Sequence, residues 1–325
     1  MIDGDGRLDL VWAVVPADKT QSMSLVVLYN SFPGDSSSPC TLQDTAMRSP
    51  FTNSAAFNSL ESISGYSKVV SFSEGYTATT RLFTLDSTLR PSRIRIGDIN
   101  IDGYADLLMV LYDPENSSGN YGQVTLVINQ EGGITFDVKS RPSSDDGYYT
   151  ILDDDTLTSS GDASITVLPA LYASFFDFDE FGRLGMWIIT QGKTDPATIP
   201  IGIFNFVETE NFMLKTLGLS GYNVGDEDDI SPKLGNIYYG TSMECAVTDV
   251  LGDTRLAKGH QLPQSGYTPL DLPYSFIGLG RTNNYIENFA VGISAKKGAT
   301  GLQQSTWTPI IPNSQLIVNP IVSTT

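Results

Sequence analysis

This sequence predicts an all-β fold, and three observations lead to it. Tyr and Phe far outnumber Trp within an aromatic share of 10%, beside 40% hydrophobic and 17% charged residues, a balance that favours pleated, half-buried surfaces over helical bundles. Apolar residues fall in short alternating or continuous runs bounded by turn residues, and no long amphipathic helix competes with them. An acidic loop pattern recurs along the chain, each time directly ahead of a strand-like run.

In chain order, strands are expected at residues 10–15, 24–29, 68–72, 93–96, 107–112, 123–128, 186–190 and 201–206. Two polar insertions interrupt them: residues 31–59, rich in Gly, Pro, Ser and Asn, and the stretch from Pro142 to Gly147 followed by Asp153, Asp154 and Asp155, which read as loops. Residues 165–172 are apolar and fit either a helix or a strand by periodicity. Past about residue 209 the character changes. Strands are expected at 211–217, 274–280, 286–291 and 315–318, with a hairpin formed by 243–249, a turn at 251–253, and 255–257. The expected division is residues 1–208 as one repeat-built region and 209–325 as a small β-sandwich.

The most informative stretch runs from Gly97 to Leu108. Asp98, Asn100 and Asp102 place oxygen-bearing side chains at every second position, Gly103 permits a sharp turn, Tyr104 can offer its carbonyl, and Asp106 supplies a closing carboxylate. Such a set suits Ca2+, a hard cation that takes oxygen ligands. An EF-hand would need Glu at the twelfth position and a helix beyond it, but that position is Met109 inside an apolar run. The loop therefore feeds a strand. Its expected role is structural, because converging carboxylates repel one another until a cation lets the turn close.

A second copy opens the chain, with Asp3, Asp5 and Asp9 as candidate ligands and Met1 where the first acid belongs. A third copy keeps Asp177, Asp179 and Gly182, but Phe181 replaces the third ligand and Gly185 the closing Asp. It is expected to keep the turn without holding calcium strongly. Equivalent positions are separated by 100 minus 3, or 97, and by 179 minus 100, or 79; the inserted loops account for such long periods.

The formal net charge of -18, from 19 basic and 37 acidic residues, argues against nucleic acid or an anionic membrane as partner. Two cysteines, Cys40 and Cys245, are too few for a disulfide framework. Asn116 begins a glycosylation sequon, Asn116-Ser117-Ser118, in a surface-loop setting. No stretch approaches the length of a membrane span, and the first residues do not form a signal peptide. Enzyme chemistry is poorly supported. His260 is the only histidine, no G-x-S-x-G elbow accompanies it, and it is expected on the surface. The acids cluster in loops rather than in isolated apolar settings, and Cys40 lacks a basic neighbour. The Gly278-Leu279-Gly280-Arg281 stretch is expected to be a tight hairpin rather than a phosphate cradle. Tyr148-Tyr149 and Tyr238-Tyr239 are expected at core edges.

The loop repeats resemble the FG-GAP or VCBS repeats of integrin-alpha-type β-propellers. More narrowly, three segments together resemble the T-cell immunomodulatory protein (linkin) family: residues 96–104, the stretch Gly278-Leu279-Gly280-Arg281-Thr282-Asn283-Asn284-Tyr285-Ile286-Glu287-Asn288, and Ile310-Ile311-Pro312-Asn313-Ser314-Gln315-Leu316-Ile317-Val318. The resemblance implies a non-enzymatic type I membrane glycoprotein on the cell surface or in the secretory pathway. Its ectodomain would be a calcium-supported partial propeller followed by a β-sandwich, with a membrane span outside this sequence. Protein interaction or cell adhesion is the function it implies. A structural subunit of a larger surface assembly and a carbohydrate-binding accessory module are the alternatives. There are too few repeats to close a seven-bladed propeller, so the chain is expected to be truncated at both ends, its open edges covered by further blades or by a partner.

Overall fold

A computed structural model describes residues 2, 9–15, 23–29, 67–72, 77, 79–82, 92–115, 122–130, 135–139, 148–150, 170–191, 198–205, 209–219, 237–263, 271–282, 285–293 and 303–319. Among them there is no helix, and therefore none long and apolar enough to cross a membrane. The all-β expectation holds. Residues 31–59, 142–147 and 153–155, with Cys40, Asp3, Asp5 and Asn116, lie outside the described residues.

The first sheet joins β1 (Leu10–Val14), β2 (Ser24–Leu28) and β3 (Ser67–Ser71) as an antiparallel meander. The second has β4 (Arg81–Leu82), β6 (Asp106–Tyr112), β7 (Gln123–Gln130) and β8 (Thr135–Lys139) in that order, with β5 (Arg95–Gly97) also pairing β6. The third runs β10 (Ala170–Phe176), β11 (Gly185–Gln191), β12 (Thr198–Asn205) and β9 (Tyr148–Thr150). The ambiguous run at 165–172 thus ends in a strand.

The three sheets stack through two cores. Leu25, Val27 and Val70 of the first sheet meet Leu107, Met109, Leu111 and Val127 of the second. Leu108, Val110 and Leu126 on the second sheet's other face meet Phe175, Met186, Ile188 and Ile203 of the third. Strand β6 is buried on both faces, which is why its sequence is a continuous apolar run rather than an alternation.

The remaining strands form two sheets around one further core. β13 (Phe212–Gly218) lies between β16 (Ser275–Gly280), antiparallel to it, and β19 (Ser314–Val318), parallel to it. Opposite them lie β15 (Thr254–His260), β14 (Ser242–Thr248), β17 (Asn288–Ile293) and β18 (Gln303–Trp307). Alternate residues of β14, Met243, Cys245 and Val247, meet Leu214, Ile277, Leu279 and Val318 between the sheets. The β14–β15 hairpin forms as expected. The hairpin expected at Gly278–Arg281 does not: Gly278 and Gly280 lie within β16, which pairs in one sheet while β17 pairs in the other.

Candidate functional site

The loop between β5 and β6 is shaped by its own acids. Asp98 Oδ1 accepts the Asp102 N–H at 3.1 Å and Oδ2 the Gly103 N–H at 2.8 Å. Asp102 Oδ1 accepts from Tyr104 N at 2.8 Å, and Asn100 Oδ1 from Asp102 N at 3.3 Å. These are the side-chain-to-backbone turns that make Asp and Asn favoured in such loops. Two left-handed residues bend the path, Ile101 at φ 61° and Gly103 at φ 89°; the first is held there by burial of its side chain. Asp106, fully buried, accepts Ile99 N and Asn129 N with its two oxygens, both at 2.8 Å. It staples the loop to β7, a use that the spacing of acids does not reveal.

Three acids in so small a volume disturb one another. Burial, then the charge of Asp102, pushes Asp98 up to about 8, against the Gly103 hydrogen bond and the charge of Arg255. Burial, then the charge of Asp98, holds Asp106 well above the ordinary carboxylate value. Asp102 is raised by burial, with Tyr104 N, Asn100 and Arg255 opposing.

The loop does not face open solvent. Gly280 N donates to Ile101 O at 3.2 Å, and Arg255 Nη2 to Asp102 O at 2.5 Å. The Arg255 guanidinium also lies over the Tyr104 ring, 4.5 Å from its centroid. A Cβ on Gly278 would collide with Asp98 Oδ2. The two glycines of the Gly278-Leu279-Gly280-Arg281 segment are thus the receiving surface for the acidic loop. Beside it, Arg93 and Arg95 pair with Asp271, and a cavity of ≈ 160 Å³ lies between Asp98, Tyr104, His260 and Tyr274. His260, expected at the surface, is half-buried, with Nδ1 3.0 Å from Ser242 Oγ on the neighbouring strand. Burial lowers its pKa. Tyr239 is 42% exposed in the turn before β14.

The third loop repeats the path. Glu180 has φ 58° and Gly182 φ 75°, matching Ile101 and Gly103, and Phe176 pairs Gly185 as Gly97 pairs Asp106. It docks on the same three-stranded sheet. Gln315 Nε2 donates to Glu180 O at 3.2 Å, Asn313 clamps Met213 through N–H···O at 2.7 Å and Oδ1···H–N at 3.0 Å, and Met213 packs where a Gly182 Cβ would stand. The 310–318 segment therefore receives the third loop as the 278–281 segment receives the second. In the first copy only the closing acid is described: Asp9 Oδ2 accepts Ile2 N at 2.5 Å, the counterpart of Asp106 and Ile99.

Sequence reasoning missed the latches between sheets. Asn129, at the end of β7, donates to Ile2 O at 2.6 Å in the preceding repeat's loop. Asn205, at the end of β12, donates to Ile99 O at 2.7 Å in the same way. Asn211 adds a bond to Asn100 O at 3.1 Å. The available signal was an Asn at the end of an apolar strand, which is also an ordinary turn residue.

As a calcium loop the set fits in chemistry: oxygen donors, three carboxylates whose burial a divalent cation would offset, and a backbone already turned around them. The oxygens accept backbone N–H groups as they stand, and among the described residues no group of three acid, His or Cys side chains is drawn together as a finished metal cage.

A family model described as "ITFG1, C2 domain" matches residues 233–325. The T-cell immunomodulatory protein of Macaca fascicularis is 31% identical over 238 residues, 71% of this chain and 70% of that protein. The Homo sapiens protein of the same name is 31% identical over 238 residues, 71% of this chain and 35% of that protein. The T-cell immunomodulatory protein homolog of Plasmodium falciparum is 34% identical over 240 residues, 71% of this chain and 31% of that protein. The match spans about a third of the length of the human and Plasmodium relatives.

Proposed function

The chain belongs to the T-cell immunomodulatory protein family, and from that premise we propose that it is a non-enzymatic, calcium-supported ectodomain piece that mediates protein interaction or adhesion. In this reading residues 1–208 are propeller blades of the FG-GAP type and residues 209–325 a β-sandwich. The place is the cell surface or the secretory pathway, with Asn116 as a glycan acceptor. Asp98, Asn100, Asp102 and Asp106 with the Tyr104 carbonyl are the proposed calcium ligands, with Asp3, Asp5 and Asp9 as a second set.

One observation carries the reading. The acidic loop lies at the joint between the three stacked sheets and the second unit, the two sheets built from β13 to β19, with Arg255, Gly278 and Gly280 against it. A cation there would stabilise a joint. Thermal unfolding tests this. Saturating calcium is expected to raise Tm by about 5 °C over EGTA, and Asp102→Ala to abolish most of that gain; an unchanged Tm in wild type would sink the calcium assignment.

A second reading, subunit of a larger assembly, is favoured by the outer faces of the stack. Leu10 and Val69 on the first sheet are 43% and 53% exposed, and Phe176 and Trp187 on the third 41% and 38%. Neighbouring residues Val11, Val70, Phe175, Met186 and Ile188 belong to the stacking cores, so these side chains point to where another blade would stack. Sizing in solution separates the readings: a stable monomer speaks against the assembly.

A further inference from the structure

The second and third loops follow one backbone path but differ in charge. The second has Asp98, Asn100, Asp102 and Asp106; the third keeps Asp177 and Asp179 at the first two positions but has Phe181 at the third and Gly185 at the last. Gly185 cannot regain an acid locally, because a Cβ there would collide with Ile203 O. Yet Asp177 has a fully enclosed side chain, and a buried carboxylate requires a compensating charge.

That charge comes from the second unit. Lys215 stands on β13 among Met213, Leu214 and Leu217, and its Nζ lies 2.9 Å from Asp177 Oδ2, with 10% of the side chain exposed. The ammonium sits over the Tyr274 ring, 4.3 Å from the centroid, and the Tyr274 hydroxyl accepts the Asp177 N–H at 3.1 Å. Among the described residues Asp177 Oδ1 has no hydrogen-bond partner, and the charge that meets this carboxylate there is Lys215. The contrast with the second loop is informative. There Arg255 also lies over a tyrosine but donates to the Asp102 carbonyl, and its charge only partly offsets the burial of Asp98 and Asp102.

We propose that the Lys215 ammonium is the built-in substitute for a metal ion at the loop of residues 177–185, fixing that loop to the second unit at any calcium concentration. The joint then has one exchangeable cation, at the second loop, and one permanent cation, at the third. The exchangeable half rests on the calcium reading above; the Lys215 half does not.

The test is terbium titration of the full chain by sensitised luminescence, with thermal unfolding in EGTA on the same samples. Lys215→Ala is expected to add a terbium component absent from wild type and from Asp177→Asn/Lys215→Ala. Its Tm should fall by about 5–10 °C, and the double variant should recover at least half of that. No added component, or a double variant as unstable as the single, overturns the proposal. If Lys215→Ala cannot be obtained folded, a folded double variant supports the pairing, and loss of both overturns it. Asp102→Ala serves as the control: it removes the wild-type component if the calcium reading is right and leaves the Lys215 outcome interpretable if that reading fails.

Discussion

Asp98 concentrates the physics of this protein in one side chain. Its pKa is pushed up to about 8, by burial first and by Asp102 second. A carboxyl that binds its proton more tightly folded than unfolded lends stability that is complete at low pH and is lost as pH rises through the folded value. Without calcium, Tm is therefore expected to fall between about pH 4 and pH 8, and Asp98→Asn to flatten that fall. Calcium bound as proposed would compete with the proton, so its stabilising effect should grow over the same range. The glycine opposite gives a second test. Gly278→Ala places a methyl group against Asp98 Oδ2 and is expected to cost about 1–3 kcal/mol in denaturant unfolding. The acids were legible in the sequence because alternation with a terminal glycine is a local pattern. Their partners were not: Arg255 and Gly278 lie more than a hundred residues away and carry no pattern of their own.

Among the elements, strands were readable where burial leaves a strong mark. β6 is a near-continuous apolar run and β7 is buried along most of its length, interrupted by the polar Thr125, because both faces are covered, and β14 alternates because it is covered on one. β4 is two residues long, and β18, Gln303–Trp307, is mostly polar; both are defined by the neighbour they pair with, which a local reading does not see. The latches are the same kind of feature. Asn129 and Asn205 end strands in adjacent sheets, and each ties its sheet to the preceding repeat's loop. Asn205→Ala leaves a buried Ile99 carbonyl without that donor and is expected to cost about 1–3 kcal/mol. A loss below 0.5 kcal/mol, read from urea midpoints at constant m, would remove the latch from the account of stacking.

At the scale of the whole molecule, two of the three repeat loops converge on one sheet of the second unit. The sequence segments most specific to the family, 278–288 and 310–318, contain the residues that receive them: Gly278 and Gly280 for the second loop, Asn313 and Gln315 for the third. Family resemblance and three-dimensional contact thus meet at the joint, although the sequence placed these segments only within a separate sandwich. Charge is distributed to match, with Lys215 pairing with the first acid of the loop that lost its third and closing acids, and Arg255 standing beside the loop that kept them. The central claim is that the acidic loop and the second unit close as one calcium-supported joint. Hydrogen exchange in calcium against EGTA tests it most directly, comparing peptides covering 98–106 and 275–282. Protection of both segments together on calcium addition is the predicted result; protection of neither, or of the loop alone, would contradict it.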